Sequence, residues 1–243
     1  MFKKLSFYTF LMLLVPIATW AIGWHWDGDQ HLIGWFDYPL YLLTESGSVP
    51  YALITCVVFM LWIMWLTRKH YSWLLVGAIC AASVIGTQGI KTVAKFAFAE
   101  PRPYVVQMMG ENTEQFYELS RDQRALIVED RSKDSEHRFA VEHRLHETGY
   151  SFPSGHTIFS VSWMLVFAGL LMGARGQAVT FAKIFVVLWS IMMLISRLRL
   201  GMHYPIDLFA STLLAWVFHV ILFIWIVPHL QTWKLFNLFQ PRG

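Results

Sequence analysis

The sequence predicts an all-α membrane protein: six transmembrane helices with a long, partly helical periplasmic segment between the third and the fourth. Three observations carry that prediction. Of 243 residues, 56% are hydrophobic and only 14% are charged, against about 25% charged in ordinary soluble domains. The apolar residues gather into runs close to the roughly 20 residues that a bilayer requires. Lysines and arginines flank those runs mostly at one set of ends, the asymmetry that orients membrane helices. A net charge of +3 is too small to indicate nucleic acid as a partner. Cys56 and Cys80 both lie within apolar runs, which argues against a disulfide framework or a thiolate metal site. No repeat or low-complexity tract divides the chain, which reads as a single domain over residues 1–243.

Lys3-Lys4 precedes the first apolar run, residues 5–24. A charged start suits a signal peptide, but the length of the run and the aromatic end at Trp24 and Trp26 suit an uncleaved span. Residues 25–49, with Asp27, Asp29, Asp37 and Glu45 among aromatics, read as an exterior loop. The second span, 50–66, stops at Arg68-Lys69-His70, and the third, 73–98, follows at once to make a helical hairpin. Lys91 and Lys95 lie one turn apart near the far end of that span, and Lys91 is expected to snorkel to the interface. Residues 99–152 form a polar, acid-rich segment. Phe116, Leu119 and Leu126, then Phe139 and Leu145, suggest two amphipathic helices within it, a lid lying on the bilayer. His143 and His146 have helical spacing, but no carboxylate-plus-histidine set accompanies them, so a solvated face is expected rather than a metal pair. The fourth, fifth and sixth spans cover 155–173, 181–198 and 208–227. Both termini then share a side with Lys3, Lys4, Arg68, Lys69, Arg175, Lys234 and Arg242, which the positive-inside rule places in the cytoplasm.

This parity brings distant polar blocks to one membrane surface. The third span ends there at Lys95, the fourth begins at His156 and the fifth ends at Arg197. Pro153-Ser154-Gly155-His156 opens directly into an apolar run, a helix-start signal. The first amides of such a helix are unpaired and point outward, a seat for a phosphate, with His156 placed to pass a proton. An ordinary capped helix with a surface histidine is the other reading of that block. Lys95, Arg102 and Arg197 supply positive charge, and the two guanidinium groups suit bidentate contact with an oxyanion. Charges at membrane depth are expensive and usually functional. His203 and Asp207 are one helical turn apart, so the carboxylate can accept one imidazole N–H and leave the other nitrogen free as a nucleophile. A helix cap ahead of the sixth span, with Pro205 at its start, also fits that pair. A zinc site on His156, His203 and Asp207 is chemically possible, but the surrounding cations would repel a metal.

Lys95-x6-Arg102-Pro103, Pro153-Ser154-Gly155-His156 and Ser196-Arg197-x5-His203-x3-Asp207 together resemble the signature blocks of the type 2 phosphatidic-acid phosphatase superfamily. The resemblance extends over the whole layout of spans, and no signature position departs from the pattern. It implies a two-step hydrolysis without metal or other cofactor. His203 would attack phosphorus and become phosphohistidine, oriented by Asp207. His156 would protonate the leaving oxygen and then activate water. Lys95, Arg102, Ser154, Gly155 and Arg197 would hold the phosphoryl oxygens. The direction of attack comes from the resemblance alone. The implied partners are the bilayer and lipid phosphates such as phosphatidylglycerol phosphate, undecaprenyl diphosphate and phosphatidate, with no nucleic acid and no obligate protein partner. The implied location is the bacterial inner membrane, with the active site on the periplasmic face. A phosphotransferase on the same scaffold and a non-enzymatic lipid transporter are the competing readings. Transporters often pair broken helices in two halves, and no such pairing is visible here.

Overall fold

A computed structural model describes residues 1–237, and the described residues form helices and turns without a strand. Arg242, counted above among the terminal-side cations, lies outside them. The helices are α1 (Phe2–Ala21), α2 (Gly34–Glu45), α3 (Tyr51–Thr67), α4 (Trp73–Ala97), α5 (Pro103–Met109), α6 (Thr113–Glu118), α7 (Arg121–Arg131), α8 (Arg138–His146), α9 (Gly155–Leu170), α10 (Gln177–Arg199) and α11 (Pro205–Ile221). A π turn, Leu222–Ile226, carries α11 on into α12 (Val227–Gln231), and α13 (Lys234–Asn237) follows. The 4 helices long and apolar enough to cross a membrane are α1, α4, α10 and α11 with its continuation. The other two apolar helices are shorter, α3 at 17 residues and α9 at 16.

The bundle is built on α9. It has no charged residue and only small polar ones beyond His156, and each of its residues from His156 to Leu170 is buried. A helix with no polar face belongs in the middle of a bundle. Accordingly α9 packs against α1, α3, α4, α10 and α11. Trp163 and Phe167 meet Phe59 of α3 edge to face, with ring centroids 5.5 and 5.7 Å apart. Gly169 lets Phe223 press against the helix, where a Cβ would run into the ring. Two side-chain bonds cross the core: Ser83 of α4 with His219 of α11 at 2.8 Å, and Ser162 of α9 to Thr87 of α4 at 3.3 Å. Such bonds hold helices together where apolar packing gives little preference over lipid. The outer faces carry exposed Phe7, Phe10, Leu53, Leu61, Phe181 and Leu188, a surface suited to acyl chains.

Two expectations change. Residues 25–49 are not only loop: they contain α2, which packs on α10 and α8. Asp37, Leu40 and Thr44 are its buried residues, at helical spacing, while Trp35, Tyr38 and Leu42 stay exposed. Asp37 accepts the Ile33 amide at 2.6 Å at the start of the helix and Arg199 Nε at 2.8 Å from α10. The polar segment holds four helices, α5 to α8, rather than two amphipathic ones. Phe116 is buried, but Leu126 faces outward. Leu32, Tyr104, Val105, Phe116, Val128 and Ala140 form a second small core with Leu200 and Met202 of the α10–α11 turn. The segment is thereby fixed over one end of the bundle.

Candidate active site

The expected site residues converge beneath that cap. Arg102 is the residue before α5, whose Pro103 starts the helix without needing a backbone donor. Its buried guanidinium donates through Nε to the Gly149 carbonyl at 2.7 Å and through Nη1 to the Met202 carbonyl at 3.2 Å. Lys95, at the end of α4, donates to the Tyr150 carbonyl at 2.9 Å. Both cations are held by the chain just before α9.

His203 lies in the turn between α10 and α11, and Asp207 in the first turn of α11. The Asp207 Oδ2 accepts the Tyr204 amide at 3.0 Å and stands 3.1 Å from His203 Nδ1. The cap and the histidine partner, alternatives in the sequence, are therefore one carboxylate doing both. Ser151, not singled out from sequence, donates its hydroxyl to the same Oδ2. With Nδ1–H directed at Asp207, the Nε2 lone pair of His203 points toward Arg102, whose Nη1 is 3.5 Å away. Burial, then Arg102, Arg197 and Lys95, hold the His203 pKa well below the ordinary imidazole value. A depressed pKa favours the neutral ring, with Nδ1–H on Asp207 and the Nε2 lone pair turned toward Arg102, the form a nucleophile requires.

His156 occupies the first turn of α9. Its Nε2 lies 3.0 Å from Ser48 Oγ and its Nδ1 3.3 Å from Glu147 Oε1. The turn before α3 comes so close that a Cβ at Gly47 would stand 2.7 Å from the imidazole. Ser154 caps α9: its Oγ accepts the Thr157 amide at 3.3 Å, and its own amide donates to Ser211 at 2.8 Å. Of the Ser154-Gly155 pair, Gly155 lines the cavity described below and the wholly buried Ser154 does not. Lys91, expected to snorkel to the interface, reaches the site. Its side chain lies over Gly155, with Cδ 2.9 Å from where a Cβ would be, and it lines the cavity beside Lys95.

The largest departure concerns residues 143 and 147. His143 is buried, not on a solvated face, with Glu45 Oε1 2.6 Å from Nδ1 and Arg197 Nη1 2.6 Å from Nε2; His146 is exposed as expected. Glu147, at the end of α8, meets Arg197 at 2.8 Å, Arg102 at 3.1 Å and His156 at 3.3 Å. Burial alone would raise its pKa, but Arg197, His156 and Arg102 outweigh that and hold it well below the usual carboxylate range. An ionised carboxylate thus sits where the two guanidinium groups converge. No signal in the sequence separates Glu147 from the other acids of its segment.

Beside these groups lies a cavity of about 550 Å³ with two unlike halves, and the wholly buried Arg197 and Asp207 stand behind its lining rather than in it. Lys91, Lys95, Arg102, Glu147, His156 and His203 form the polar half. Ala52, Leu53 and Cys56 of α3, Val84 of α4 and Phe159 of α9 form the other. Such a cavity suits a molecule with an anionic head and an apolar tail.

A family model of the PAP2 superfamily matches residues 73–230. Phosphatidylglycerophosphatase B of Haemophilus influenzae is 46% identical over 230 residues, covering 92% of this chain and 95% of that protein. Phosphatidylglycerophosphatase B of Escherichia coli K12 is 34% identical over 213 residues, 85% of this chain and 82% of that protein. The protein of the same name from Shigella flexneri matches to the same extent.

Proposed function

Because the chain belongs to the PAP2 superfamily, we propose that it is a membrane lipid-phosphate phosphatase acting on phosphatidylglycerol phosphate, and on related lipids such as undecaprenyl diphosphate and phosphatidate. The observation that carries this reading is the divided cavity. Its cationic half, with a neutral His203 backed by Asp207, joins an apolar half between α3 and α4. The headgroup phosphate would displace Glu147 from Arg102 and Arg197, and the acyl chains would lie along α3 and α4.

His203 Nε2 attacks phosphorus while Asp207 holds the imidazole by its other nitrogen and balances the charge that develops. The P–O bond to the lipid breaks, and His156 delivers the proton to the departing oxygen. In the second step His156 removes a proton from water, which attacks the phosphohistidine and returns His203 to its starting state. Lys95, Arg102, Arg197 and the amides at the start of α9 stabilise the phosphoryl oxygens in both steps. Lys91 adds a further cation at Gly155.

We place six spans in the bilayer, α3 and α9 included. At 17 residues α3 is about 26 Å long, a little short of the roughly 30 Å hydrocarbon layer. The shorter α9 is shielded from lipid by its neighbours. The cap and the site then face the periplasm across the bacterial inner membrane. The direct test is inorganic phosphate release by purified protein from the three lipids, with labelling from a radioactive lipid phosphate quenched in alkaline detergent, which preserves a phosphohistidine. His203→Ala is expected to remove the labelled intermediate and at least about 10³ of the turnover, the scale of losing a nucleophile. Near-normal activity in that variant would overturn the assignment. Transfer of label to glycerol in preference to water would replace hydrolase with phosphotransferase.

A further inference from the structure

We infer that Glu45 and His143 are positioning residues for Arg197, holding one side of its guanidinium so that the other is presented to the phosphate. The inference rests on the phosphatase reading and adds to it two residues outside the signature blocks. Arg197 is wholly buried on α10. Its Nη1 is 3.0 Å from Thr44 Oγ1 and 2.6 Å from His143 Nε2. A guanidinium only donates, so His143 Nε2 must be the acceptor. The ring proton is therefore on Nδ1, directed at Glu45 Oε1 at 2.6 Å. Glu45 selects the tautomer, and the tautomer makes His143 a partner for a cation rather than a competitor.

Both Nη1 hydrogens are thus held by α2 and α8. The remaining edge of the group is different. Nη2 donates to Glu147 Oε2 at 2.8 Å, and the buried Nε has no partner among the described residues. Nε and Nη2 form the edge with which arginine grips an oxyanion in two parallel bonds. Displacing Glu147 would free that edge while Thr44 and His143 keep the rest of the group in place. A residue present only to fill space would not need two nitrogens matched in this way. His143 has Tyr41 and Glu45 of α2, Arg197 of α10, His156 of α9 and Glu147 of its own segment around it.

The test uses full-length protein in phospholipid vesicles, with release of phosphate from phosphatidate as the readout. Vanadate binding, read as the rise in Tm it produces, reports on the oxyanion seat without turnover. Glu45→Leu and His143→Phe are each expected to lower kcat/KM and vanadate affinity roughly 10- to 100-fold, the cost of one hydrogen bond to a charged group. Glu45→Gln keeps an acceptor for Nδ1–H and is expected to recover most of the loss. The deciding comparison is a double-mutant cycle. His143→Phe added to Arg197→Ala should cost nothing more, because the arginine through which it acts is gone. Full additivity, or unchanged vanadate affinity in both single variants, would overturn the inference. If His143→Phe does not fold, judged by Tm without ligand, the Glu45 pair decides alone. An unmodified protein that releases no phosphate from any lipid defeats the phosphatase reading, and the vanadate measurements still judge the positioning role.

Discussion

Glu147 competes with any anion for Arg102 and Arg197, which it meets at 3.1 and 2.8 Å. Glu147→Ala is therefore expected to tighten vanadate inhibition several-fold. The same change is expected to destabilise the protein by about 3 kcal/mol, since two nearly buried guanidinium groups lose their counter-ion. Weaker vanadate inhibition together with an unchanged Tm would show that the carboxylate does not stand in the anion seat. His203 yields a prediction in pH. Burial and the cations around it disfavour the imidazolium, so the pKa is depressed and the nucleophile stays neutral as the medium is acidified. From about pH 7.5 to 6 the rate should lack the fall expected of an ordinary histidine near 6.5. A pH profile of kcat/KM that does fall with a midpoint near 6.5 would count against the assignment. His203, Asp207, His156, Arg102 and Arg197 were readable because they stand in rare polar blocks at the ends of apolar runs and match one family pattern together. Glu147, Ser151, Ser48 and Glu45 were not, because each is one polar residue among many until packing brings it to an imidazole or a guanidinium.

At the scale of the helix, apolar length was a sufficient signal for α1, α4, α10 and α11, and the observed ends lie within a few residues of those expected. It failed for α2, whose buried face carries Asp37 and Thr44 while its outer face is aromatic. Polarity inside and apolarity outside is the reverse of the pattern read for a soluble helix, and a short segment so arranged looks like loop. Asp37 is what anchors it, through Arg199 on α10 and the Ile33 amide. Asp37→Ala should lower stability by about 1–2 kcal/mol, the cost of losing hydrogen bonds from a half-buried guanidinium and from the amide at the start of α2. Thermal unfolding in detergent would measure it, and an unchanged Tm would mean that α2 is held by its apolar contacts alone. Cap helices α5 to α8 were hard to resolve for another reason. They are short, and their apolar residues are shared with Leu200 and Met202, far away in the chain.

At the scale of the whole molecule, the described residues form two apolar cores, one within the bundle and one under the cap. The proposed orientation puts the cap outside and Arg175 inside. Single cysteines at Glu118 and Arg175, both exposed, in a background lacking Cys56 and Cys80, test it. An impermeant reagent on spheroplasts should label position 118 and spare 175, and the opposite pattern would invert the topology. The divided cavity has a kinetic consequence of its own. A substrate whose tail never leaves the acyl layer is met by diffusion in two dimensions. Its effective concentration is then a mole fraction in the leaflet, not a molarity. Diluting the lipid phosphate with inert phospholipid at constant bulk concentration should slow turnover, whereas diluting the vesicles in buffer should not.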